Sequence, residues 1–362
     1  MRRNQRWTRV GAALEHAGAD WLVVPASADF RWLTGAVARS TERLLALAVP
    51  RRGEPFCVVP RLEADSLAAE CPGLHLEVWD EHEDPLLRLV GGIELWRGPS
   101  LLVGDGMRTG PLLRLAAQGR CRPAGPVLEP LRAVKDPFEL KLMEEAASNA
   151  DHVMEEAADF MRPGMTEREV AHFILDRFSG LGDTDAWAIV ASGPHSALPH
   201  HQSSRRPLRE HDVVLLDLGA SNGGYSSDIT RTFCLGPPDP EVAHVYQVVD
   251  QARRAGIAAS RAGAIPEQVD RAARDIIEGA GFGPFFTHRT GHGVGLEVHE
   301  QPYLVTGNQQ PLQAGMVHSV EPGVYLPGRF GIRLEDLVVV EHGRSRRLNQ
   351  APLDPLPPRL RQ

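Results

Sequence analysis

The chain has 362 residues, 42% of them hydrophobic and 24% charged, with a formal net charge of -8. That length implies two domains with apolar content enough to fill both, and the acidic balance argues against nucleic acid or an anionic membrane surface as a partner. No apolar run approaches a membrane span, and the scattered Cys57, Cys71, Cys121 and Cys234 form no CxxC pair, so a reducing cytoplasm is the expected compartment.

The opening segment, MRRNQRWTRVGAALEHAGADW, is basic but has no uninterrupted apolar stretch behind its charges. It reads as an amphipathic helix, not a signal peptide. Apolar runs follow at Trp21 to Pro25, Leu44 to Val49, Phe56 to Val59 and Leu101 to Gly104. Such strand signals alternating with helical spacing predict an α/β domain over residues 1–130. After the Pro/Gly-rich stretch from Cys121 to Pro126, a second domain over 131–362 opens with a helix at Asp136-Pro137, because proline suits the first helical turn. Leu140, Met143, Ala147 and Met154 keep helical spacing towards Arg162-Pro163-Gly164, and Thr166-Glu167-Arg168-Glu169 predicts a capping box for the next helix. The remainder mixes hairpin and helix signals and reads as α+β. It ends in a proline-rich, extended tail from Pro352 to Pro358.

Within the second domain an apolar strand, Val213 to Leu216, ends in Asp217, and Asn222-Gly223 signals a two-residue hairpin. Counting outward from that turn places Asp217 opposite Asp228, on one face and about 5 Å apart. Two carboxylates that close repel unless a cation sits between them. A second hairpin, centred on Gly328, places Glu321 opposite Glu335. Between the hairpins lies His288-Arg289-Thr290-Gly291-His292-Gly293-Val294-Gly295, whose glycines allow unusual backbone angles and close approach of a ligand around His292. Four carboxylates and one imidazole without sulfur favour hard or borderline divalent ions. Calcium needs no histidine, and no EF-hand loop is present.

The stretches LLDLGA, SDITRT, HRTGHGVGLEVHE, VEPGVY and GIRLED resemble, in order and spacing, the pita-bread metallopeptidases of the prolidase and aminopeptidase P branch. The resemblance implies an α+β pita-bread catalytic domain behind a smaller α/β creatinase-like N-terminal domain, usually as a homodimer. It implies two divalent metal ions, manganese foremost with cobalt or zinc as alternatives. Asp228 and Glu335 would bridge them, Asp217 would complete one, and His292 with Glu321 the other. ALPH matches the family's substrate-side histidine motif and makes His200 a candidate. By position His299 would steady the substrate carbonyl, His288 would line the pocket, Glu321 would shuttle a proton, and Arg333 would hydrogen-bond within the site.

The implied reaction is hydrolysis of the Xaa-Pro bond of small proline-containing peptides, with a Xaa-Pro dipeptidase expected. The alternatives are a Xaa-Pro aminopeptidase acting on longer peptides, creatinase-like amidine hydrolysis without metal, and a non-enzymatic binding protein on the same fold. One departure bears on the choice. Some prolidases place an arginine after the HE motif to clamp the substrate's C-terminal carboxylate, and here Tyr303 stands in its place. Arg43 or Arg39, in the segment after Leu33-Thr34-Gly35, is the expected substitute.

Overall fold

The computed structural model describes residues 2–360 and divides into two compact units, one up to Arg132 and one from Ala133 onward. The first contains a six-stranded mixed sheet of β1 (Trp21–Pro25), β2 (Ala46–Pro50), β3 (Phe56–Pro60), β4 (His75–Trp79), β5 (Ser100–Val103) and β6 (Arg120–Pro123), in the order β4-β3-β2-β1-β5-β6. The central strands WLVVP, ALAVP and FCVVP are near-continuous apolar runs because both faces are covered. Val23, Val58, Leu101 and Leu89 meet in its core.

The second unit opens as the capping chemistry requires. Asp136 caps the helix Pro137–Phe160 and Thr166 caps Glu167–Gly180, each in a complete capping box with Glu139 or Glu169. Such caps contribute about 1 kcal/mol apiece. Both helices pack on β7 (Thr184–Ser192) and β8 (Val213–Asn222), which continue through β9 (Tyr225–Ser226) to β10 (Ile229–Cys234). A second helix pair, Pro240–Ala259 and Pro266–Gly279, precedes the remaining strands: β11 (Gly291–Gly293), β12 (Glu300–Leu304), β13 (Val317–Val320), β14 (Gly323–Leu326), β15 (Phe330–Arg333), β16 (Asp336–Val340) and β17 (Ser345–Arg347). Five of these form a sheet in the order β12-β11-β13-β16-β17, and β14 pairs with β15. The tail is irregular but tied down, since the Cys234 N–H donates to the Pro355 carbonyl at 2.6 Å.

The period of two along β7 and β8 sorts core from cavity. Val214, Leu216 and Leu218 join Val190 in the core under the first helix pair. Asp217 faces the other way, paired with Ile189 on one side and Thr230 on the other. This corrects the expected pairing of Asp217 with Asp228. Asn222 pairs with Tyr225, so the turn residues are Gly223 and Gly224, at φ +55° and +90°. A tight hairpin turn needs positive φ at both central residues, and two glycines supply it without strain at a Cβ. The register slips by two, which keeps Asp228 on the same face, diagonal to Asp217.

The second hairpin holds the counted register. Val320 pairs with Asp336 and Gly323 with Arg333, so Glu321 and Glu335 fall opposite each other where the β13–β16 pairing gives way to β14–β15.

Candidate metal centre

Five side chains converge on one cavity. Asp217 comes from β8, Asp228 from the break before β10, His292 from β11, and Glu321 and Glu335 from the breaks on either side of the β14–β15 hairpin. One ligand atom each of Asp228, His292 and Glu335 lies within 4.8 Å of the others. His292 Nε2 stands 3.2 Å from Glu321 Oε1 and 3.6 Å from Asp228 Oδ2. Its other nitrogen, Nδ1, lies 3.1 Å from the Gly293 carbonyl. A carbonyl only accepts, so Nδ1 carries a proton, and Nε2 is the nitrogen turned to the carboxylates.

The glycines around His292 serve strand packing, and none of them takes a positive φ, which corrects their reading as sites of unusual backbone angle. A Cβ at Gly291 would sit 2.1 Å from the Ser319 carbonyl oxygen, and one at Gly293 2.2 Å from that of Gln301. Only bare backbone lets β11 lie this close to its neighbours.

Arg333 braces the carboxylates. Its guanidinium donates to Asp217 Oδ2, to the Tyr325 hydroxyl at 2.8 Å and to Thr230 Oγ1 at 3.2 Å. Thr230 Oγ1 in turn donates to Glu335 Oε2 at 2.7 Å. Behind it, Arg231 donates to the Glu335 carbonyl at 2.5 Å and ion-pairs with the buried Asp336.

The electrostatics are those of too many acids in too little space. Burial, then Glu335 and Asp217, push the Asp228 carboxyl well above the ordinary range. Burial, then Glu321 and Asp217, do the same to Glu335. Asp217 is raised by burial against the pull of Arg333. For Glu321 burial is outweighed by the His292 hydrogen bond and charge, which hold it at about 2. Asp217 Oδ1, Asp228 Oδ1 and Glu335 Oε1 are buried and have no hydrogen-bond partner among the described residues. Buried anionic oxygens without donors are costly unless a cation faces them. With the His292 nitrogen they form an oxygen-rich donor set suited to hard or borderline divalent ions.

The cluster lies in a cavity of about 690 Å³, within the range of small-molecule sites. Trp187, Ile189 and Val298 give it an apolar wall, and His200, His288 and His299 line it as well. The His299 ring lies 4.2 Å from that of His292, and burial, then His292 and Arg289, lower its pKa to about 4. His288 Nδ1 lies 2.7 Å from the Arg289 carbonyl and so donates to it. Its Nε2 therefore accepts from the Tyr325 hydroxyl at 2.8 Å, a neutral state that burial favours.

Arg43, in the first unit, is engaged by Glu81 at 2.6 Å and Glu42 at 2.5 Å, and Arg39 is exposed. The Tyr303 ring carries the guanidinium of Arg289, 4.2 Å from its centroid.

Sequence reasoning missed Glu167, read only as part of a cap. Its buried carboxylate accepts at Oε1 from Ser192 N (2.8 Å), Ser192 Oγ (2.7 Å) and His195 Nδ1 (2.9 Å). At Oε2 it accepts from His201 Nε2 (2.8 Å), Ser204 N (3.0 Å) and Ser204 Oγ (2.7 Å). Glu167, His195 and His201 are spaced like metal ligands, but the carboxylate is already saturated with donors. The arrangement is a tether for the loop that carries His200. Asp270 was also missed. It accepts from Thr290 N and Oγ1 at 3.1 and 2.7 Å and so anchors the segment leading to His292.

Residues 141–342 match the family model described as Metallopeptidase family M24, and residues 6–134 match that of the Creatinase/Prolidase N-terminal domain. The chain is 41% identical over 358 residues to the Probable dipeptidase PepE of Mycobacterium tuberculosis, covering 96% of this chain and 94% of that one. The crystal structure of dipeptidase PepE from Mycobacterium ulcerans superimposes with a TM-score of 0.93 at 39% identity, covering 98% of this chain and 97% of that one. A recombinant prolidase from Thermococcus sibiricus gives 0.93 at 36% identity, covering 98% and 99%.

Proposed function

We propose, from the premise that this chain belongs to metallopeptidase family M24, that it is a metal-dependent dipeptidase of the prolidase type, cleaving the Xaa-Pro bond of short peptides. The observation that carries this reading is the set of buried, donor-free carboxylate oxygens beside the His292 nitrogen in a cavity large enough for a dipeptide. The names of the relatives, dipeptidase and prolidase, support the substrate class.

Asp217, Asp228, His292, Glu321 and Glu335 would hold two divalent ions. Manganese is favoured by the oxygen-rich donor set, with cobalt and zinc as alternatives. When bound, such ions supply Lewis-acid polarisation of a carbonyl oxygen and a water nucleophile active at neutral pH. The chain's own groups do the rest. Glu321, ionised above about 2, takes the proton of the attacking water and passes it to the leaving proline nitrogen. His299 and His200 donate towards the carbonyl oxygen as charge develops there. Arg333 fixes Asp217, and burial keeps His288 neutral while the Tyr325 hydroxyl orients its ring. The wall of Trp187, Ile189 and Val298 excludes water and receives the apolar proline ring. A homodimer and a cytoplasmic setting belong to the same reading.

The test is hydrolysis of Ala-Pro by chelator-treated protein before and after manganese is restored. Loss and recovery of cleavage are expected. A protein that binds no divalent ion and cleaves no Xaa-Pro peptide overturns the reading. Comparison of Ala-Pro with a tetrapeptide carrying the same first two residues separates dipeptidase from aminopeptidase, and the dipeptide is expected to be preferred.

A further inference from the structure

A dipeptidase must recognise the free carboxylate that lies one residue beyond the scissile bond, and a buried carboxylate needs a cation, best a planar guanidinium offering two parallel N–H groups. Two arginines line the cavity, Arg289 and Arg333. The second is committed to Asp217, the Tyr325 hydroxyl and Thr230. Among the described residues, the Arg289 guanidinium has no carboxylate partner. It lies instead over the Tyr303 ring, 4.2 Å from its centroid. Stacking on an aromatic face holds a guanidinium in place and leaves its N–H edge free for an anion in the same plane.

The backbone that presents this side chain is fixed on both sides. Arg274 donates to the His288 carbonyl at 2.9 Å, and Thr290 is held by Asp270 and by the Leu304 carbonyl at 3.1 Å. The pairing of Gly291 with Leu304 brings the Arg289 and Tyr303 segments together.

We propose that Arg289, stacked on Tyr303, binds the substrate's C-terminal carboxylate and sets the preference for dipeptides; this rests on the peptidase reading above. The tyrosine at the position where some prolidases carry their arginine then has a role. It is the platform for a cation supplied from the neighbouring segment.

The experiment compares Ala-Pro with its C-terminal amide, which keeps the scissile bond and loses the charge. The manganese-loaded wild type should show a KM for the acid roughly 10- to 100-fold below that for the amide, the range of one hydrogen-bonded charge pair. In Arg289→Met the ratio of the two KM values should fall towards one, because only the acid loses a partner for its charge. Arg289→Lys should retain part of the difference, and Tyr303→Leu should weaken it. Metal content per chain is measured throughout and should stay constant. A wild type that cleaves both peptides with equal KM overturns the clamp without any variant. So does an Arg289→Met protein that is fully metal-loaded and still discriminates. A wild type that cleaves neither peptide overturns the peptidase reading, and the clamp with it.

Discussion

Asp217 Oδ1, Asp228 Oδ1 and Glu335 Oε1 share a buried site in which no described residue turns a hydrogen-bond donor towards them. Folding the metal-free chain therefore forces like charges together, and some of that repulsion is relieved by binding protons. Replacing one acid by its amide should relieve it outright. Glu335→Gln keeps an oxygen for Thr230 and turns an N–H₂ towards the remaining carboxylates. In chelator it should be more stable than wild type by about 1–2 kcal/mol, a rise of a few degrees in Tm. It should also bind less metal and lose Ala-Pro hydrolysis. A lower Tm for this variant in chelator would show that repulsion is not the governing term.

The pH dependence has a definite sign. Asp228 and Glu335 have folded pKa values well above the ordinary carboxylate range, through burial and then their acidic neighbours. The folded state thus binds more protons than the unfolded one, and stability falls as pH rises from about 4 through their raised values. Metal-free protein should lose stability across that window, and metal-loaded protein should lose much less. Parallel curves in thermal melts with and without manganese would sink this account.

At the scale of elements, the tether and the hairpin make separate predictions. Glu167 closes the segment from Ser192 to Ser204 onto the first turn of its helix with six hydrogen bonds. Burial alone would raise its pKa, but the donors of Ser204, Ser192 and His201 hold it at about 2. Its contribution is therefore present above the unfolded pKa of about 4.3 and is lost as pH falls towards 2. Glu167→Gln sets an N–H₂ group against serine donors whichever way the amide turns, and should cost about 2–3 kcal/mol. It should also lower kcat/KM for Ala-Pro about tenfold at unchanged metal content, because His200 loses its anchor. Unchanged kinetics would leave the tether a matter of stability alone.

In the hairpin, Gly224 sits at φ +90°, beyond the left-handed well that asparagine tolerates. Gly224→Ala should cost about 1–2 kcal/mol, read as a fall in Tm of a few degrees. An unchanged Tm would mean the turn is not held at that angle. Asn222 next to Gly223 was a strong turn signal, but a third candidate, Gly224, followed, and only pairing across the sheet selects between the two turns. The helix start at Asp136, the capping box at Thr166 and the register around Gly328 were legible because each depends on residues close in sequence. Glu167 and Asp270 were not, since their partners lie on loops brought in by the fold. Arg289 was legible only as part of a motif. Its carboxylate-free guanidinium emerges once Tyr303 is seen beneath it.

For the whole molecule, all five proposed ligands, both histidine segments and Arg289 belong to the unit from Ala133 onward. The first unit has its own sheet and core. Metal that binds only the folded second unit should stabilise that unit by mass action, by about 4 kcal/mol when free metal exceeds Kd a thousandfold. For a unit of this size that is roughly 10 °C in Tm. Hydrogen exchange read by mass spectrometry should therefore change unevenly on chelation. Amides of β8, β10, β11 and β13 to β16 should exchange faster, while those of β1 to β5 keep their protection. Uniform loss across both units would mean that the metal-free chain unfolds as one cooperative body. In that case the charge frustration of five side chains would be felt by the whole protein, and the first unit's core would not suffice to hold it folded alone.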